Sequence, residues 1–167
     1  VTEDNSFGTH EFLDFCERIG AEPYLACNVG SGTVRELSDW IQYVNFDGKS
    51  PMSDWRRANG RDKPWHVKYF GVANEAWGCG GSMTPEYYAN IYRQYVTFMT
   101  DYTGGDMMRV ASGANADDYH WTEVLMRDIP HDMLNAIALH YYSVDWDSKS
   151  SATTFTQQQY FGDRPRV

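Results

Sequence analysis

Val67-Lys68-Tyr69-Phe70-Gly71-Val72-Ala73-Asn74-Glu75-Ala76-Trp77-Gly78 decides how this chain reads. Val67 to Ala73 is short, apolar and rich in β-branched and aromatic residues, and glycines follow it. That pattern suits a buried parallel strand better than a helix. Asn74 and Glu75 fall at the strand's exit. In barrels of parallel strands the loops at the C-terminal strand ends converge on one open face, where catalytic groups collect. Glu75 is therefore the first candidate for a catalytic carboxyl.

Upstream of this stretch, Phe12, Leu13, Phe15, Cys16 and Ile19 recur with helical spacing; Thr9 is placed to cap the helix and Gly20 to end it. Glu22 to Asn28 reads as a strand entered at Pro23, with Asn28 and the Gly30-Ser31-Gly32 turn at its exit. Val34, Leu37, Ile41 and Val44 mark a second helix. Phe46 to Trp65, with its glycines, prolines and the cluster Arg56, Arg57, Arg61, Asp62 and Lys63, reads as a long excursion with a solvated basic surface.

Downstream, Thr84-Pro85-Glu86 opens a helix whose buried face is Tyr88, Ile91, Tyr92, Tyr95 and Met99, with Gly104-Gly105 as its end. Met108 to Ser112 predicts a third strand with its exit at Gly113-Ala114-Asn115. A helix around Trp121, Val124 and Leu125 leads to a fourth strand, Leu134 to Tyr142. A further helix is expected near Thr156, followed by a loose tail. Helices separate all the strands, which predicts an α/β fold with parallel strands and right-handed crossovers.

Composition limits the partners. The 14 Lys and Arg against 23 Asp and Glu give a net charge of −9, which repels nucleic acid and anionic membranes. No apolar run is long enough to span a bilayer. Cys16, Cys27 and Cys79 lack CxxC spacing, so neither a disulfide framework nor a thiolate zinc site is signalled, and Cys16 and Cys27 read as buried thiols. Asp117, Asp118 and Glu123 lack the spacing of a calcium loop, so no metal is expected.

Hydrolysis of a glycosidic bond ordinarily uses two carboxyl groups, one giving a proton and the other acting as nucleophile or base. Glu75 fits the first role. Asn74 is placed to hydrogen-bond the hydroxyl beside the reacting carbon, and Trp77 to form an apolar wall. His140, at a strand end beside Tyr141 and Tyr142, reads equally well as a structural donor or as a substrate contact.

The runs Gly8-Thr9-His10-Glu11-Phe12, Gly20-Ala21-Glu22-Pro23-Tyr24, Asn28-Val29-Gly30-Ser31-Gly32-Thr33, Asn74-Glu75-Ala76-Trp77-Gly78, Ser112-Gly113-Ala114-Asn115 and Leu139-His140-Tyr141-Tyr142 together resemble the α-L-arabinofuranosidases of glycoside hydrolase family 51. The resemblance covers nearly the whole chain, in order. It implies a retaining enzyme built on a (β/α)8 barrel with an added β-sandwich, releasing terminal arabinofuranosyl residues without metal or organic cofactor.

Carried over by motif, Glu75 is the acid/base at the fourth strand's exit, Asn74 its neighbour, and His140 and Tyr142 the pair near the nucleophile. Asn28, Trp77 and Asn115 are further substrate contacts. The 167 residues then form an incomplete barrel, about four βα units running from strand three to strand six, since a full barrel takes roughly 250 residues. The family's nucleophile, a glutamate at the seventh strand's exit, would lie outside them. The expected ligand is an arabinose-containing oligo- or polysaccharide. An arc with open edges is expected to self-associate or to pair with the missing segments. Two other readings stay open: an inactive carbohydrate-binding remnant, and a Glu-dependent barrel hydrolase acting on pyranosides.

Overall fold

The computed structural model describes residue 2 and residues 4–142. The helix expected near Thr156 and the tail lie outside the described residues. In chain order the elements are α1 (Thr9–Ile19), β1 (Tyr24–Cys27), α2 (Val34–Asn45), α3 (Pro51–Ala58), β2 (Tyr69–Val72), α4 (Pro85–Thr97), β3 (Met108–Asn115), α5 (Tyr119–Asp128) and β4 (Ala136–His140). The four strands form one sheet in the order β1-β2-β3-β4, every pair parallel. This is the α/β alternation expected from the sequence.

Along β1, Leu25 and Cys27 are buried while Tyr24 and Ala26 are exposed. The buried set packs with Phe70, Val72 and Ala111 against Leu37, Ile41, Val44, Tyr88, Tyr92 and Trp121 of the helices, forming a single apolar cluster. Helices therefore cover one face of the sheet. On the other face, Tyr24 and Tyr69 remain exposed, and the Tyr24 ring lies across Gly71, where an added Cβ would meet its hydroxyl at 2.2 Å.

The helix ends follow local chemistry, with two corrections. Thr9 is the first residue of α1, not its cap: the Glu11 carboxylate accepts from the Gly8 amide at 2.8 Å and satisfies that end instead. Gly20 closes the helix in the left-handed region at φ 69°, as its lack of a Cβ allows. Thr84 caps α4 by accepting from the Tyr87 amide. That helix ends at Thr97, before Gly104-Gly105, because Phe98 already leaves helical geometry.

The stretch from Phe46 to Trp65 is not the irregular excursion expected. It contains α3, capped by Ser50, whose hydroxyl accepts from the Ser53 amide at 3.1 Å, with Pro51 at the first helical position. Arg56 is not part of a solvated basic surface. It is fully buried, and its guanidinium donates to the carbonyls of Tyr43 and Phe46 at 2.8 Å and of Asp62 at 3.1 Å. These bonds tie α2 and α3 to the segment leading into β2. Buried Asn45 adds a second tie, accepting from the Val67 amide at 2.7 Å and donating to the Val67 carbonyl at 2.8 Å. One side chain thus supplies both halves of a strand-like pairing at the entry to the central strand.

β3 runs three residues beyond the expected Ser112, through Asn115. Its register with β4 shifts between Ser112 and Asn115, bringing Asn115 opposite His140. Gly113 makes the shift possible, since a Cβ there would meet the Ala138 carbonyl oxygen at 2.4 Å.

Candidate active site

β2 ends at Val72, and the chain then turns sharply. Ala73 and Glu75 both lie in the left-handed region, at φ 81° and 47°. For residues other than glycine each such position costs on the order of 1–3 kcal/mol, so the surrounding structure must hold the turn. The amides of Gly78 and Gly80 both donate to the Glu75 carbonyl, at 2.8 and 2.9 Å, and the Met83 amide donates to the Ala76 carbonyl at 2.8 Å. Gly80 passes so close that a Cβ there would meet the Asn74 carbonyl oxygen at 1.9 Å. The glycines after Trp77 thus serve to close this loop upon itself.

The Glu75 side chain is 16% exposed, and its two oxygens have different partners. Oε1 lies 3.2 Å from Nδ1 of His140, which is 19% exposed. The two form an ion pair when the imidazole is protonated. Oε2 accepts from the Cys79 thiol at 3.2 Å. That hydrogen bond, more than any other influence, pushes the Cys79 thiol above the usual cysteine range and keeps it a donor.

Trp77 completes the group. Its indole nitrogen donates to the Gly113 carbonyl at 3.0 Å, and its ring meets His140 edge-on with centroids 6.0 Å apart. Glu75, Trp77 and His140 therefore form one contact chain across the exits of β2, β3 and β4.

Asn74 and Asn28 come together on a second wall. With Cys79, Gly80, Val29, Ala26 and Cys27 they line a hollow of about 280 Å³ at the exits of β1 and β2. Asn74 is exposed, and its side chain hydrogen-bonds to no described residue, so it is available to a ligand. The Asn28 amide is engaged by its own loop: Oδ1 accepts from the Gly30 and Ser31 amides, and Nδ2 donates to the Ser31 hydroxyl at 2.8 Å. Asn115 ends β3 and is exposed, beside the Ala116 amide that donates to the His140 carbonyl at 2.8 Å. Tyr142 follows β4 and is exposed. Cys79 was missed as a site residue, because nothing in its spacing announced the turn that returns it to Glu75.

A larger hollow, of about 920 Å³, lies between α1, α2 and α3, lined by Trp40, Tyr43, Trp55, Asp14 and Arg61 among others. It shares no lining residue with the smaller hollow, but Glu36 and Trp40 also line a third, of about 380 Å³, that reaches Cys27 and Asn28. The Glu75 carboxyl lines none of these hollows, but Asn74 and Cys79 on either side of it line the smallest, which therefore adjoins the candidate catalytic group. Among the described residues no cluster of His, Cys, Asp and Glu is arranged to hold a metal, and Asp118 instead caps α5 by accepting from the Trp121 amide. No helix of the described residues is long and apolar enough to cross a membrane.

The chain is similar to known proteins along most of its length. A family model described as the alpha-L-arabinofuranosidase 1 domain matches residues 1–160. An intracellular exo-alpha-L-arabinofuranosidase of Bacteroides ovatus is 56% identical over 161 residues, which are 95% of this chain and 31% of that protein. The alpha-L-arabinofuranosidase C of Emericella nidulans is 48% identical over 77 residues, 46% of this chain and 15% of that protein.

Among solved structures, the GH51 arabinofuranosidase of Xanthomonas axonopodis pv. citri superposes with a TM-score of 0.85 at 41% identity, covering 95% of this chain and 34% of that one. The alpha-L-arabinofuranosidase of Thermotoga maritima, solved with arabinose, superposes at 0.77 with 33% identity, covering 87% of this chain and 30% of that one. The chain thus spans about a third of the length of the Bacteroides ovatus relative and of these two structures. By sequence along nearly its whole length and by backbone geometry alike, it belongs to the α-L-arabinofuranosidases of glycoside hydrolase family 51.

Proposed function

We propose that these residues form strands three to six of a (β/α)8 barrel in a retaining α-L-arabinofuranosidase, with Glu75 as the general acid/base. The observation that carries the reading is the Glu75 carboxyl at a parallel strand's exit, bracketed by His140 Nδ1 and the Cys79 thiol. A carboxyl held between an imidazole and a thiol donor is restricted in orientation and can exchange its proton with a leaving oxygen. The open face bearing Tyr24 and Tyr69 supports the arc, because in a closed barrel that face would be interior. Among the described residues β1 and β4 are edge strands, which also favours self-association or pairing with further strands.

In this reading Asn74 bonds the hydroxyl beside the anomeric carbon, Trp77 and Tyr142 wall the sugar, His140 orients Glu75, and Asn28 and Asn115 shape the neighbouring loops. The substrate is a terminal arabinofuranosyl unit on arabinan or arabinoxylan. Retention needs a second carboxyl roughly 5–5.5 Å from the first. In this reading that carboxyl comes from the exit of the strand that follows in the family's barrel.

The test is Glu75→Gln in the full-length enzyme, assayed on arabinofuranosides with good and poor leaving groups. Loss should be greatest where the departing oxygen is most basic, since general acid catalysis is worth roughly 10²–10⁴-fold. Azide should partly restore turnover by attacking the glycosyl-enzyme where water lacks its base. Equal losses on every leaving group, without rescue, would remove Glu75 from the role.

A further inference from the structure

Beneath the Glu75 turn lies a buried polar network that sugar contacts do not explain. Ser112 of β3 is 1% exposed, and all its polar groups are engaged. Its hydroxyl accepts from the Ala76 amide at 3.3 Å, its own amide donates to the Tyr88 hydroxyl at 2.7 Å, and its carbonyl accepts from the Trp121 indole at 3.0 Å. The Tyr88 hydroxyl in turn donates to the Val72 carbonyl. Tyr88 itself is fully buried and stacked on Trp121 with centroids 5.5 Å apart, so its hydroxyl has little freedom to move.

These bonds share one geometric consequence. Val72 and Ala76 flank Ala73, Asn74 and Glu75, the segment that contains both left-handed residues. The Val72 carbonyl is tied to Ser112 through Tyr88, and the Ala76 amide is tied to Ser112 directly. Both ends of the strained turn are therefore pinned to a single serine on the neighbouring strand. The parallel ladder between β2 and β3 stops at Val72 opposite Ala111, so backbone pairing does not perform this task. Ala76 is fully buried, and without the serine hydroxyl its amide would lose the one partner that this network gives it.

We propose that Ser112, supported by Tyr88, is a positioning residue that sets the aim of the Glu75 carboxyl by clamping the turn on both sides. The proposal rests on the reading of Glu75 as the acid/base. A shift of about 1 Å at a reacting group can cost on the order of 100-fold in rate, so a clamp on the backbone acts on turnover without touching substrate.

The experiment compares Ser112→Ala, Ser112→Thr and Tyr88→Phe, alone and combined with Glu75→Gln, in the full-length enzyme. Ser112→Ala should lower kcat about 10- to 100-fold on poor leaving groups and less on activated aryl arabinofuranosides, with KM changed by no more than about twofold. Ser112→Thr keeps the hydroxyl and should recover most of the loss. In the Glu75→Gln background, Ser112→Ala should add little, because the group it positions is already disabled. Should Ser112→Ala fail to fold, Tyr88→Phe must reproduce the leaving-group pattern.

A fall in melting temperature with kcat unchanged, or a full additive loss on top of Glu75→Gln, would overturn the role. Absence of leaving-group dependence in Glu75→Gln itself would instead overturn the reading of Glu75, so the two failures are distinguishable.

Discussion

Glu75 Oε1 and His140 Nδ1 stand 3.2 Å apart although they leave strands that are not neighbours, with β3 running between β2 and β4. Strands two apart in a sheet are separated by about 9–10 Å, so both side chains must reach inward across the exit of β3. Trp77, anchored on the Gly113 carbonyl of that same strand and edge-on to His140, fills the space between. The contact therefore reports the geometry of three strand exits at once.

Replacing His140 by Ala in the full-length enzyme removes the imidazole beside Oε1 and the ring against Trp77. We expect kcat/KM on arabinofuranosides to fall about 10- to 100-fold. Stability should change by less than about 1 kcal/mol, since both partners keep some solvent contact. Steady-state kinetics and a urea unfolding curve on one preparation check both parts. Unchanged kcat/KM would make His140 a bystander.

Two neighbouring glycines should behave oppositely. At Gly80 a Cβ would collide with the Asn74 carbonyl oxygen at 1.9 Å, whereas at Gly78 the nearest atom is the Glu75 carbonyl oxygen at 3.8 Å. Gly80→Ala should destabilise by about 2 kcal/mol or more and depress activity, because backbone cannot move aside as a flexible side chain would. Gly78→Ala should stay within about 0.5 kcal/mol of the parent. Thermal unfolding of the pair decides it.

Thiol labelling offers a pH-dependent readout of Glu75. Cys79 is exposed, while Cys16 and Cys27 are buried, and burial pushes the Cys27 thiol up to about 11. Cys79 should therefore react first with a thiol-specific disulfide reagent. Its own ionisation is raised by the hydrogen bond to Glu75, so at mildly alkaline pH less thiolate is present than for an ordinary cysteine, and labelling lags accordingly. Glu75→Gln removes that charge and should move the labelling profile to lower pH. A profile indifferent to Glu75→Gln would mean that the thiol does not meet the carboxylate in solution.

Arg56→Met tests the α2–α3 junction. The guanidinium serves the carbonyls of Tyr43, Phe46 and Asp62, and removal leaves these acceptors short of a charged donor inside the fold. Hydrogen bonds to charged groups contribute about 1.5–3 kcal/mol, so a loss of about 3 kcal/mol is expected from the set. Lysine should not restore it, because one ammonium cannot match the planar fork. Denaturant midpoints of the parent and both variants supply the check.

The order of elements was legible because each signal is local. Gly20 ends α1, Thr84-Pro85 opens α4, and the apolar stripe of Val34, Leu37, Ile41 and Val44 defines α2. Alternation of helices with short apolar runs then leaves parallel strands as the natural solution. Glu75 also stood out locally, as a carboxylate at the end of a buried strand.

The failures other than the helix ends occurred where a partner lies farther along the chain. Ser50-Pro51 carries the same start signal as Thr84-Pro85, but α3 is short and charged, and only its contacts with α2 through Arg56 make it a helix worth forming. Nothing local marks Asn45, whose partner at the entry to β2 lies 22 residues on. What the tertiary structure alone decided is the state of the Glu75 carboxyl. Cys79 reaches one oxygen through the fold of its own loop, but that His140 meets the other and that Ser112 holds the turn from the next strand depend on side chains meeting across strand exits. Such meetings follow from sheet order and register, which pattern within any one segment does not encode.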